Sequence, residues 1–165
     1  MAFLLERDAL NGKEGRAICS INGQQIELFG LKNLKIDYSL DSADFKVVGT
    51  RLVQKKTTGV QLTGSMTIVY GTPEFKQMVR QYMATGRIPY FTLQVTNNDP
   101  ATSVGTQTVV LYNCRINSGN IAQLDADADF LTEDVSFDFT SFEILKSFHE
   151  PERLGGGIGS VLISR

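Results

Sequence analysis

Histidine and cysteine carry much of the nucleophilic and metal chemistry of proteins, and this chain has one histidine, His149, and two cysteines, Cys19 and Cys114. A single histidine excludes zinc sites built on paired histidines, and the two cysteines lack ligand spacing. Each cysteine sits in an apolar stretch, which fits two buried thiols in a reduced compartment, and no pattern supports a disulfide. A Ser-His-Asp triad would present its serine in a Gly-x-Ser-x-Gly elbow, which does not occur. His149, beside Glu150-Pro151 at the close of the last strand, therefore reads as an exposed or structural residue. The run Gly155-Gly156-Gly157-Ile158-Gly159-Ser160 is only superficially a dinucleotide loop. Ser160 stands where the third glycine belongs, and no βαβ unit surrounds it, so it reads as a linker. Asp125, Asp127 and Asp129 have the spacing of calcium ligands. A loop starting at Asp125 would need glycine in place of Phe130 and glutamate in place of Ser136. No catalytic, cofactor-binding or metal residue is assigned, and no cofactor is implied.

What remains is charge. Asp125, Asp127, Asp129, Glu133, Asp134 and Asp138 occupy a stretch with no basic residue. It is either a solvated acidic face or one half of a charge-matched contact. The other half would be the segment holding Lys46, Arg51, Lys55 and Lys56 around Phe45, Val47, Val48, Leu52 and Val53. Opposite patches on one small chain suit head-to-tail association, which closes into rings or runs on as filaments.

The elements that position these residues are mostly strands. Asn22-Gly23 between two short β-type runs, Arg16–Ile21 and Gln24–Phe29, predicts a hairpin, because a type I′ turn needs two residues that tolerate positive φ. Leu34, Ile36, Tyr38 and Leu40 alternate with polar residues and predict a strand with one buried and one wet face. Asp41–Gly59 breaks the pattern and reads as a long excursion, hairpin-like at its end in one reading, that orders on association. Alternation returns over Val60–Tyr70, with Gln61, Thr63, Ser65 and Thr67 on its polar side. Thr72 as cap, Pro73 and Glu74 in the first turn and Gly86 at the end define one helix over about 73–85. Its Phe75, Met78, Val79, Tyr82 and Met83 share a face, while Lys76, Gln77, Arg80 and Gln81 look outward. Strands follow at Tyr90–Thr96 and Thr106–Ile116, separated by the polar loop from Asn97 to Gly105. A turn at Asn117–Asn120 leads into Ile121–Leu124, and a further strand covers Leu131 to about Leu145. In the last strand Val135, Phe137 and Phe139 point inward, and Asp134, Ser136, Asp138 and Thr140 outward. The fold class is mainly β, an antiparallel sandwich or barrel with one helix.

The bulk numbers agree with an ordinary folded domain. The chain has 165 residues, 42% of them hydrophobic and 21% charged, which is neither a disordered nor a membrane composition. A net charge of -2 is not that of a protein that grips phosphates. No signal-like run opens the sequence, and no apolar segment is long enough to span a bilayer, so no membrane insertion is expected and a cytoplasm, or a particle assembled there, is the setting. Residues 1–149 read as one domain. Residues 150–165, with their glycine hinge and the apolar Val161-Leu162-Ile163, read as an arm that docks elsewhere. The outward rows Gln61, Thr63, Ser65, Thr67 and Asp134, Ser136, Asp138 hold hydroxyls, amides and acids but neither Lys nor Arg. They suit plain solvent surface or the wall of a wet pore.

The order of these features resembles a known family. The hairpin at Asn22-Gly23 leads, followed by the strand Leu31–Leu40 and the charged loop through Phe45 and Gly49. Then come Gly64-Ser65-Met66-Thr67-Ile68-Val69-Tyr70, the helix from Pro73, Pro89-Tyr90-Phe91-Thr92-Leu93 and Asn98-Asp99-Pro100. The closing Val135-Ser136-Phe137-Asp138-Phe139-Thr140-Ser141-Phe142-Glu143 completes the likeness to the PBSX-like tail tube family of contractile phages, defective prophages and R-type bacteriocins. The similarity runs from about Asn11 to Leu145. It implies a β-sandwich subunit, not an enzyme, that forms homo-hexameric rings. Those rings would stack into a hollow tube in a virion tail assembled in the host cytoplasm. Implied partners are further copies of the chain, sheath and baseplate proteins, and DNA passing through without specific binding. By position, Asp41–Gly59 would reach neighbouring subunits and rings, with Phe45, Lys46, Val47, Val48, Arg51, Lys55 and Lys56 at the contact. Met1–Asn11 would be a second inter-ring contact. Two departures stand out. Arg16-Ala17-Ile18-Cys19 lacks the tryptophan of many members, and residues 150–165 run past the family's usual end. The competing reading is a monomeric barrel that binds a small ligand or a protein, which would show a closed apolar cavity and a single monomer peak on sizing.

Overall fold

The computed structural model describes residues 3–4, 6–28, 30–69, 73–149 and 153–154. Among the described residues there are ten strands, one α-helix and a short 3-10 turn at Glu6–Asp8, and the chain divides into two compact units. The mainly β, antiparallel reading with a single α-helix holds.

The first unit comprises residues 1–28, 92–112 and 142–165. Strand β1 (Phe3–Leu4) pairs antiparallel with β10 (Arg153–Leu154). Strands β2 (Gly15–Ile21) and β3 (Gln24–Glu27) form the expected hairpin. Ile21 faces Gln24 across a two-residue turn in which Asn22 has φ 51° and Gly23 φ 82°. These are the positive values that a type I′ turn demands. The strand order continues through β6 (Phe91–Asn98) to the first part of β7 (Thr106–Ser118), with β9 (Ser141–Lys146) also paired to β7. Ala17, Cys19, Leu28, Leu93, Val104, Val110 and Leu111 are buried apolar residues of this unit.

The N-terminal segment is fastened to the 99–105 loop by two buried aspartates. Asp8 accepts bonds from the Ser103 N–H at 3.0 Å and the Ser103 hydroxyl at 2.7 Å. Asp99 accepts from the Asn11 N–H at 2.9 Å and the Ala101 N–H at 2.9 Å. The polar loop is thus an ordered, bonded structure, a role that neither aspartate showed in the sequence. His149 is exposed, and its backbone N–H donates to the Val104 carbonyl at 2.8 Å, which makes it a closing strut of this loop.

The second unit comprises residues 29–91 and 113–141. Its strand order is the second part of β7, then β8 (Thr132–Asp138), β5 (Gln54–Val69) and β4 (Leu31–Phe45). The helix α1 (Glu74–Thr85) ends at Gly86, whose φ of 72° and N–H bond to the Tyr82 carbonyl close the last turn. Pro73 is its N-cap without a side-chain cap, and Thr72 lies outside the described residues. The buried row of β5, Gly64, Met66 and Ile68, meets that of β8, Glu133, Val135 and Phe137. Phe75 of α1, Phe91 and Phe137 stack edge to face at 6.0 and 5.8 Å, and Phe137 continues to Phe139. Gly64 has to be glycine here, since a Cβ would stand 2.3 Å from the Phe137 ring.

Four expectations need correction. Lys76 does not look outward; its ammonium lies 3.8 Å from the carboxylate of Glu133, which is 1% exposed. Only Phe75 and Met78 of the apolar helix face are buried, and Tyr82 and Met83 are exposed, because no described part of the unit covers the second half of α1. The long last strand is broken at Phe139-Thr140 into β8 and β9. Residues 119–131 contain no strand, and β7 instead carries on through Asn117, whose side-chain N–H donates to Asp138 at 3.3 Å.

Candidate functional site

The excursion of Asp41–Gly59 is the far end of a long hairpin rather than a loop. Strands β4 and β5 pair antiparallel from Leu31 opposite Ile68 to Phe45 opposite Gln54, with register shifts at Leu31/Asn33 and Asp41/Ser42. Pairing persists because the sequence continues to support it. Asp44 stands opposite Lys55, an opposite-charge cross-strand pair, and Gln61 donates to the Asp41 carboxylate at 3.1 Å. The excursion is therefore already ordered in the single chain.

Burial changes along this hairpin. Near its root, Leu34 and Ile36 are half-buried, and Met66 and Ile68 are fully so. Beyond Ile36 the predicted inner row emerges, with Tyr38 at 75% and Leu40 at 58% exposure and Val60 across from Leu40 also exposed. All seven residues expected at a subunit contact are exposed at the distal end. Phe45 ends β4, Lys46, Val47, Val48 and Arg51 lie in the connection, and Lys55 and Lys56 open β5. Leu52 beside them is 75% exposed. A two-stranded ribbon wet on both faces is marginal by itself, and this one carries a row of large apolar side chains. Strand β4 is also the terminal strand of this unit's order, so one edge of a 15-residue strand has no neighbour among the described residues.

The other face of the same strands is polar. Thr63 faces Asp138, Ser65 faces Ser136 and Thr67 faces Asp134 in direct register. Gln61 pairs with Ser39 one step further out. The two rows read from the sequence are therefore one surface, exposed or half-buried throughout, lying back to back with the apolar core. The Thr67 hydroxyl donates to Asp134 at 2.7 Å. That surface is less uniformly acidic than its two rows suggest, because the flanking strands supply bases. Arg115 of β7 bonds Asp138 at 3.2 Å, and Lys35 of β4 lies 3.8 Å from Asp37. Asp37, Asp41, Asp134 and Asp138 against Lys35 and Arg115 leave it negative. Lys35 and Asp37 share the polar side of one strand, whereas Arg115 was missed because the cross-strand register that sets it opposite Asp138 is not written in either segment alone. Asp125, Asp127 and Asp129 stay apart from the polar rows in the irregular segment 119–131, where Asp127 donates its N–H to Asp125 at 3.0 Å.

Burial raises the Glu133 carboxyl above its ordinary value, with the Lys76 ammonium opposing the shift. Its Oε2 has no hydrogen-bond partner among the described residues, the Lys76 ammonium standing 3.8 Å away. The Ser103 hydroxyl and N–H hold the Asp8 carboxyl below its ordinary value. These groups lie in the cores of their units or fasten loops, and they are structural. Among the described residues no three His, Cys, Asp or Glu side chains gather as metal ligands, and no helix is long and apolar enough to cross a membrane.

The described residues thus form an antiparallel β protein with one helix, an exposed apolar hairpin end and back-to-back apolar and polar sheet faces. The family model described as phage tail tube protein matches residues 2–146, and the chain belongs to that family as a structural tail tube subunit, a component of a virion tail. It is 32% identical over 151 residues to the phage-like element PBSX protein XkdM of Bacillus subtilis (strain 168), covering 92% of this chain and 96% of that one. Among solved structures, a chain of the anti-feeding prophage tube-terminating cap superposes with a TM-score of 0.64 at 10% identity, over 89% of this chain and 95% of that chain. The SPP1 tail tube gives 0.58 at 10% identity, over 85% and 80%. At such identities the last two likenesses speak to fold alone.

Proposed function

We propose that copies of this chain close into hexameric rings and that the rings stack into a hollow tube. The distal β4–β5 hairpin makes the subunit and ring contacts through Phe45, Lys46, Val47, Val48, Arg51, Lys55 and Lys56. The polar face of Gln61, Thr63, Ser65, Thr67, Asp134, Ser136 and Asp138 lines the lumen, where its negative balance lets DNA pass without holding it. The outer surface meets sheath and baseplate proteins. The work done is assembly and not catalysis, in a tail built in the host cytoplasm and without membrane insertion. Residues 1–149 serve as the assembling body. Of residues 150–165 only Arg153 and Leu154 are among the described residues, and the docking role of the segment is part of the same proposal.

One observation carries this reading. The hairpin leaves its core support after Ile36 yet continues, paired and studded with exposed apolar residues, to Phe45 and Gln54. Burying such a ribbon against a second copy removes apolar area from water at ~25 cal/mol per Å². Electron microscopy of the concentrated protein tests the proposal directly. Six-fold rings and tubes are expected, with a central channel walled by β5 and β8. A homogeneous monomer at every concentration, with no rings on the grid, overturns it and favours the single binding barrel.

A further inference from the structure

The second half of α1 presents a surface that the hairpin contact leaves unused. Val79, Tyr82 and Met83 are exposed, Met83 at 80%. Residues 79–90 contain Arg80 and Arg87 and no acid. A helix normally buries its apolar stripe along its whole length, yet here burial stops at Met78. In the same unit, residues 121–130 form an irregular segment of opposite character. Ile121 is 79% and Leu124 98% exposed, and Asp125, Asp127 and Asp129 follow with no basic residue among them.

Each segment thus pairs uncovered apolar side chains with charges of one sign, and the signs are opposite. Neither covers the other within the chain, since both remain exposed in the same folded unit. We propose that the 121–130 segment of one copy docks on the exposed half of α1 of the next. Leu124 and Ile121 seat against Val79, Tyr82 and Met83, and the three aspartates meet Arg80 and Arg87. The acidic stretch of the sequence accordingly splits in two. Asp134 and Asp138 stay on the polar sheet face, while Asp125, Asp127 and Asp129 serve a copy-to-copy contact. The contact is heterologous, using different patches on the two copies, which is the geometry a ring requires. It deepens the tube reading and rests on it for the architecture in which neighbouring copies meet.

Single-cysteine pairing tests the contact independently of tube formation. Met83→Cys and Leu124→Cys are made in separate full-length chains, mixed and oxidised, with the native Cys19 and Cys114 buried and out of reach. A covalent dimer is expected in the mixture and not in either variant alone. No dimer in the mixture overturns the inference. Charge reversal supplies a second arm. Replacing Asp125, Asp127 and Asp129 together by lysine should lower the assembled fraction at low salt about tenfold or more, through like-charge juxtaposition. Adding Arg80→Glu and Arg87→Glu should restore it. Normal tubes from the lysine variant sink the docking site but leave the tube reading intact. A wild-type chain that never forms tubes sinks the tube reading, while the mixed-cysteine dimer still decides the contact.

Discussion

Glu133 ends a row that otherwise reads as core, with Val135 and Phe137 beside it on β8, and it is almost fully withdrawn from water. Lys76, one turn into α1, is the cation that makes this tolerable at 3.8 Å. Removing one partner of a buried pair leaves an uncompensated charge, which costs more than the pair itself contributes. Lys76→Met should therefore destabilise the chain at pH 7 by about 2–3 kcal/mol, toward the lower end of that effect because Lys76 is partly exposed. Urea midpoints check this, and Lys76→Met combined with Glu133→Leu should recover most of the loss. Sign matters for pH. The Glu133 carboxyl is raised above its ordinary 4.5, so its contribution is favourable below 4.5 and is lost as pH rises through the folded value. The Lys76→Met penalty should accordingly shrink on acidification. Asp8 runs the other way. Its carboxyl is lowered from 3.8 by Ser103, so its contribution is present above 3.8 and is lost as pH falls through the folded value. Asp8→Asn should lower the protection of the Ser103 N–H from hydrogen exchange at neutral pH, and wild-type protection should fall to the variant's level as pH drops through the folded value of Asp8. An unchanged Ser103 rate in the variant would show that Asp8 does not fasten the loop.

At the level of elements, the β4–β5 hairpin separates what folds the unit from what joins copies. Its root shares the core with β8 and α1, whereas the part beyond Ser42 and Thr57 has no buried residue. Excising residues 43–56 and closing Ser42 to Thr57 with Asn-Gly should leave the thermal midpoint within a few degrees of wild type, because surface changes away from a core are nearly neutral. The same excision should abolish rings and tubes under the electron microscope. Tubes of normal width from the shortened chain would remove the hairpin from the contact. Much of this architecture was legible in the sequence, for local reasons. Asn22-Gly23 announces its own turn, Gly86 its own helix end, and two-residue alternation its own strand faces. What was not legible depends on which element lies across from which. Tyr38 and Leu40 continue the pattern of Leu34 and Ile36 without a break, yet only the first pair finds anything to pack on. Lys76 looked solvent-bound on a helical wheel, because the wheel cannot show that Glu133 waits opposite it. The excursion looked irregular because charges interrupt its apolar period, while its pairing is held by partners such as Asp44 and Lys55 on the other strand.

On the scale of the whole molecule, the charge of the polar face becomes consequential only by multiplication. Four acids against two bases leave one subunit slightly negative there, a balance that would mean little on a lone protein in physiological salt. Six copies around a channel would sum that balance to a ring of about twelve negative charges, repeated at every stacked layer, facing a polyanion at close range. Asp134 and Asp138 can be changed without breaking the fold. Their contacts with Thr67 and Arg115 are exposed or half-exposed, and such surface pairs contribute ~1 kcal/mol or less. In the proposed tube, Asp134→Lys with Asp138→Lys should keep assembly while turning each ring of six to about twelve positive charges. DNA fragments of channel length should then sediment with the tubes at low salt. They should be released steeply between about 50 and 200 mM, the signature of phosphate contacts exchanging with counterions. Wild-type tubes should retain none across that range. Lysine tubes that hold no more DNA than wild type would place this face away from the lumen and leave its acids as ordinary solvent-facing residues.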